Sequence, residues 1–210
     1  MADGTIINRS EKIMKIINKA IGIILAFTFV LGLAGCSNSN RLSHEKLSEF
    51  FSARNITKCS NSANYLAVCN NPTDECIAYV TCKDAEAQSI FNELSTSYNQ
   101  QANYSVKETT SCVLSQESIN GFYLVFLFTF ENSSDAEAFY QYNAQLYGGG
   151  VTGQEKDYSY SYTVNNVTGD MYQMNCFYIS GDTVLFIAGW STETSFVTDI
   201  CSTLDIVSPF

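Results

Sequence analysis

Twice along this chain an apolar, β-rich run breaks at polar residues and continues as Asp-Ala-Glu-Ala. Ile77 to Cys82 leads into Lys83-Asp84-Ala85-Glu86-Ala87, and Leu124 to Phe130 leads into Ser134-Asp135-Ala136-Glu137-Ala138. An aspartate at such a break suits a helix N-cap, and a glutamate in the first turn suits the helix dipole. The spacing therefore predicts helices over 84–98 and 135–147. Ile90, Phe91 and Leu94 form the apolar stripe of the first, and Phe139, Tyr140, Tyr142 and Leu146 that of the second. Alternating strands follow each helix, one through Tyr104, Val106 and Cys112, the other over 157–164. The order β-α-β-β-α-β is that of the ferredoxin-like split βαβ pattern.

The flanks complete the expected domain. Residues 41–53 predict a helix with Ser43 as N-cap and Lys46 in solvent, and 56–59 a short strand. Residues 65–69 and 76–82 predict two strands around Pro72. Residues 170–179 and 183–190 predict a hairpin across Gly181-Asp182, and 193–204 a last helix buried through Phe196, Val197, Ile200, Cys201 and Leu204. The expected class is α+β, an antiparallel sheet with helices on one face: a ferredoxin-like core extended by a C-terminal hairpin and helix.

A different signal lies upstream. Residues 20–33 are 14 residues without a charge, preceded by Lys12, Lys15 and Lys19. That is short for a membrane span, which takes about 20 apolar residues, but right for the apolar centre of a signal peptide. Small residues follow, and then a cysteine: Leu33-Ala34-Gly35-Cys36. This stretch resembles the lipobox of a bacterial lipoprotein signal peptide. The resemblance implies cleavage between Gly35 and Cys36, diacylglycerol on the Cys36 thiol, and a palmitate-type anchor in the cell membrane with the domain on the extracytoplasmic face. Two acyl chains hold a protein where one does so only marginally. With its strand–Asp-Ala-Glu-Ala–helix build, the chain also resembles small uncharacterised lipoproteins of Gram-positive anaerobes, a likeness that carries over no site residue.

The expected organisation follows. Residues 1–13, with Asp3 and Glu11, read as an over-extended start before Met14. Residues 14–35 read as the signal peptide, 36–41 as a lipidated flexible tether, and 42–210 as one domain. The whole chain holds 11 Lys and Arg against 21 Asp and Glu; cleavage after Gly35 leaves 7 against 19, a formal charge of −12. Such a surface repels nucleic acid and anionic headgroups, so a nucleic-acid partner is not expected and the lipid must hold the membrane.

Seven cysteines follow Cys36: Cys59, Cys69, Cys76, Cys82, Cys112, Cys176 and Cys201. Turn chemistry at Asn71-Pro72-Thr73-Asp74 makes Cys69–Cys76 the candidate local disulfide. A Cys59–Cys69 pairing and buried free thiols are the alternatives, since spacing does not fix connectivity. Without a Cys-x-x-Cys and with His44 as the one histidine, no metal or cofactor is expected.

Three features bear on function. Tyr158, Tyr160 and Tyr162 alternate with small polar residues and so share one strand face, either an aromatic platform or a half-buried part of the core. Gly148-Gly149-Gly150-Val151-Thr152-Gly153 follows a helix and lacks the lysine of a phosphate loop, so it reads as a mobile loop at the lip of a site. Cys82 precedes a helix N-terminus, where a thiolate would be stabilised, but it needs a base, and His44 is the only imidazole. The expected function is a non-enzymatic binding or interaction module for a protein, peptide or envelope ligand; the alternative is an extracytoplasmic hydrolase or thiol enzyme using Cys82 or clustered acids with His44.

Overall fold

The 124–130 run, Leu-Val-Phe-Leu-Phe-Thr-Phe, has no polar alternation, and a strand of that kind is covered on both sides. The computed structural model, which describes residues 41–70, 76–97, 103–116 and 121–210, shows how. The signal segment, Cys36, residues 37–40 of the tether and the turn at Pro72 lie outside these residues.

The elements are α1 (His44–Ala53), β1 (Thr57–Lys58), α2 (Ser62–Asn70), β2 (Cys76–Lys83), α3 (Asp84–Ser97), β3 (Val106–Gln116), β4 (Gly121–Phe130), α4 (Ser133–Asn143), β5 (Val151–Gln154), β6 (Ser159–Thr168), β7 (Met171–Ser180), β8 (Thr183–Ser191) and α5 (Ser195–Leu204). One turn of π-helix, Ala144–Gly148, prolongs α4. Among the described residues eight strands form one sheet in the order β1-β2-β3-β4-β8-β7-β6-β5, antiparallel throughout except for β1 with β2. The α+β class and the antiparallel sheet are as expected.

The layering is not. Leu47 and Phe51 of α1 and Phe196, Val197, Ile200 and Leu204 of α5 pack with Tyr79, Val125, Leu127, Leu185 and Ile187 on one face. Tyr65 of α2, Ile90 and Phe91 of α3, and Ala136 and Phe139 of α4 pack with Val80, Phe126, Phe128, Phe177 and Phe186 on the other. Helices thus lie on both faces rather than one, because β4 and β8 carry large apolar side chains at successive positions and each face needs a cover.

The ferredoxin-like pairing is also corrected. The element order β-α-β-β-α-β occurs, but β2 and β3, joined by α3, are direct neighbours, as Cys76↔Ser115 and Lys83↔Glu108 show. The chain after α4 goes to the far edge, and the hairpins β6-β7-β8 return to place β8 beside β4.

Residues 65–69 form the last part of helix α2, not a strand. Asn61 caps it, its Oδ1 accepting from Asn64 N at 2.9 Å, and Ser62, Tyr65, Leu66 and Cys69 recur at helical spacing on its covered side. The cap of α4 is Asn132, whose side chain accepts from Asp135 N, so Asp135 stands inside the first turn. Asp84 opens α3 directly after β2 with φ 52°, a left-handed conformation that Asp tolerates. Ser43 caps α1 as expected, and Lys46 is exposed. In the β7–β8 turn Gly181 has φ 60° and Asp182 does not share it, the pattern of a two-residue II′ turn.

Candidate binding surfaces

The three tyrosines predicted to share a face do so, with unequal exposure. Tyr158 is buried and its hydroxyl accepts from Val207 N at 2.9 Å, while the Arg41 guanidinium lies over its ring at 5.7 Å. Arg41 also reaches Asp157 at 3.4 Å. Tyr158 thus fastens the C-terminal tail and the chain entering α1. Tyr160 and Tyr162 are half-buried and stack on each other, with ring centroids 5.8 Å apart and an interplanar angle of 12°. Burial raises the phenol pKa at both Tyr158 and Tyr162, so both are neutral at physiological pH.

The glycine-rich segment is part strand. Val151–Gln154 is the edge strand β5, paired Val151↔Tyr162 and Gly153↔Tyr160. The pairing explains Gly153, where a Cβ would lie 2.3 Å from the Tyr160 ring. Val151 stays 47% exposed beside Tyr162. The expected lip is therefore in part an edge strand, with β5 at one end of the sheet order.

Cys82 and His44 do not meet. Cys82 and its partner Thr109 lie on the α3 face, whereas His44 binds Thr110 and Thr129, which point to the α1 face. Nor is a thiolate favoured at Cys82: burial, then Glu86 and Glu108, pushes its pKa up to about 12. His44 is a partly buried histidine with both ring nitrogens occupied, Nδ1 with Thr110 Oγ1 at 2.9 Å and Nε2 with Thr129 Oγ1 at 2.8 Å. The network continues through Thr110–Thr81 at 3.0 Å, Thr129–Thr183 at 3.0 Å and Thr183–Asp182 at 3.1 Å to the Lys107–Asp182 ion pair at 2.7 Å.

The seven described cysteines are thiols. Cys69 and Cys76 share the α2-side core, and Cys76 Sγ lies 4.0 Å from Val68 O, at hydrogen-bonding range for sulfur. Burial pushes Cys69 up to about 11. Among the described residues no group of three or more His, Cys, Asp or Glu is placed to hold a metal ion. No described helix is long and apolar enough to cross a membrane.

One open surface escaped the sequence reading. On the α2–α4 face, the sheet beyond the cover of α4 carries Phe122, Trp190, Gln173 and Asn165 in one cross-strand row. These residues lie on four different strands, so only the register reveals them.

No protein-family model matches the chain, and no curated protein matches it. Among solved structures, it is similar to the extracellular domain of PknH from Mycobacterium tuberculosis, with 14% identity and a TM-score of 0.37 over 69% of this chain and 89% of that one.

Proposed function

We propose that this chain is a membrane-anchored binding module of the extracytoplasmic face, held by a lipid on Cys36 and engaging a protein, peptide or envelope ligand. The observation that carries the binding part is the stacked Tyr160–Tyr162 pair, half open beside the exposed edge strand β5. Tyrosine gives broad contact area and a polar tip at small entropic cost, and a free edge offers backbone donors and acceptors to an incoming strand. The separation of Cys82 from His44 favours this reading over a thiol enzyme built on that pair. The lipobox resemblance and the −12 charge of the processed chain support the anchor.

The test combines both parts. Cells fed an alkyne fatty acid are expected to label the wild-type chain and not Cys36→Ser, and a tagged, anchored Tyr160→Ala/Tyr162→Ala variant is expected to lose a ligand that the wild type retains from envelope extracts. Labelling of Cys36→Ser would contradict the anchor, and identical capture by wild type and double variant would contradict the face.

A further inference from the structure

The distal half of the α2–α4 face passes from core to open surface in three steps. Phe126, Phe186 and Phe177 form a buried cross-strand row, with Phe177 and Phe186 stacked at 4.6 Å and 4°. Two residues further along lie Leu124, Ala188, Asn175 and Thr163, with Ala188 buried and the other three partly so. Two further, in register Phe122↔Trp190↔Gln173↔Asn165, Trp190 is 49% exposed and Gln173 and Asn165 are exposed. Phe122 supports Trp190 from the next strand, ring centroids 5.4 Å apart. Side chains in register on adjacent strands stand on one face, so these four make a continuous strip about 14 Å long at the usual strand spacing.

Its chemistry is specific. In a domain that carries a strong net negative charge, none of the eight residues of the two outer rows is charged. An uncharged strip set in an acidic surface admits a neutral ligand and disfavours polyanions such as nucleic acid or a polyuronic acid. Two aromatic rings at one end, tilted 35° to each other, offer an apolar floor. Two carboxamides at the other each present donors and an acceptor, and neither is engaged by another described residue. A floor for C–H faces and amides for hydroxyls that both donate and accept is the complement of a pyranose chain.

We propose that the Phe122–Trp190–Gln173–Asn165 strip binds an uncharged glycan, its sugar faces over Trp190 and its hydroxyls bonded to Gln173 and Asn165. This goes beyond the tyrosine-pair reading: it adds a second surface, on the opposite face of the sheet, and names a ligand class for it.

Trp190 is the only tryptophan of the chain, so its emission reports on this site alone. The full chain in zwitterionic detergent, which brings no sugar headgroup, is titrated with cellohexaose, maltohexaose, chitohexaose and, as the charged comparison, an oligogalacturonate. The expected result is a saturable blue shift with at least one neutral hexaose and none with the oligogalacturonate. Gln173→Ala and Asn165→Ala, which keep the reporter, are each expected to weaken that binding about 2- to 10-fold, the loss of one hydrogen bond. Circular dichroism of each variant confirms that it is folded. Absence of a saturable shift with all three hexaoses, unchanged affinity in both folded amide variants, or equal binding of the acidic glycan would overturn the proposal. The Tyr160/Tyr162 capture experiment does not use this face, so either reading can fail without the other.

Discussion

Acidification should destabilise this fold through His44. Its imidazole is pinned between Thr110 and Thr129, and its pKa is lowered from 6.5 to about 4, first by burial, then by Lys83, with Asp182 opposing. The folded state therefore resists a proton that the unfolded chain accepts. The stabilisation from neutral His44 is complete above the unfolded value of 6.5 and is lost as pH falls from there through about 4. Integrating the linkage between pH 7.5 and pH 5 gives a loss of about 2 kcal/mol, rising to about 3 kcal/mol below pH 4. The variant His44→Gln supplies a neutral amide that does not titrate. Urea unfolding followed by circular dichroism at both pH values should show the wild type losing about 2 kcal/mol more than His44→Gln. Equal losses in the two proteins would refute the reasoning, because carboxylates common to both would then carry the whole acid response.

Further predictions follow from packing and burial. Phe177→Ala removes the ring stacked on Phe186 in the α2–α4 core and should cost about 3–5 kcal/mol in urea unfolding. Gly153→Val forces a side chain onto the Tyr160 ring and should cost about 1–3 kcal/mol, with Gly149→Val, where a Cβ meets nothing within 4 Å, as the mild comparison. Cys82, with a pKa near 12, should alkylate with iodoacetamide on the order of 100-fold more slowly than an exposed thiol of ordinary pKa, as peptide mass mapping over time would show. Fast alkylation of Cys82 would reopen its reading as a nucleophile.

Much of the local structure was legible because each signal was local. Ser43 before α1, the Asp-Ala-Glu-Ala starts of α3 and α4, the Gly181-Asp182 turn and the apolar stripe of α5 all declare themselves within one turn of chain. Residues 65–69 misled because tyrosine, valine and cysteine favour strands, while the decisive residue, Asn61, lies four positions earlier. The two-faced burial was written in the unbroken apolar run of β4, whereas strand order was not: nothing near Phe130 says that its sheet neighbour is β8. The same holds for function. Tyr160 and Tyr162 could be paired from period 2, but their partial exposure depends on where α1, α5 and the tail end. The Trp190 strip draws one residue from each of four strands and exists only once their register is known.

The account rests most heavily on the half-open tyrosine pair as the proposed contact surface of the domain. Placing a photo-cross-linking phenylalanine analogue at Tyr162 in the full chain, and separately at Glu137 on the exposed side of α4, tests it in intact cells. The account predicts a discrete cross-linked adduct from position 162 that is absent from position 137. No adduct at 162, or the same adducts from both positions, would contradict it.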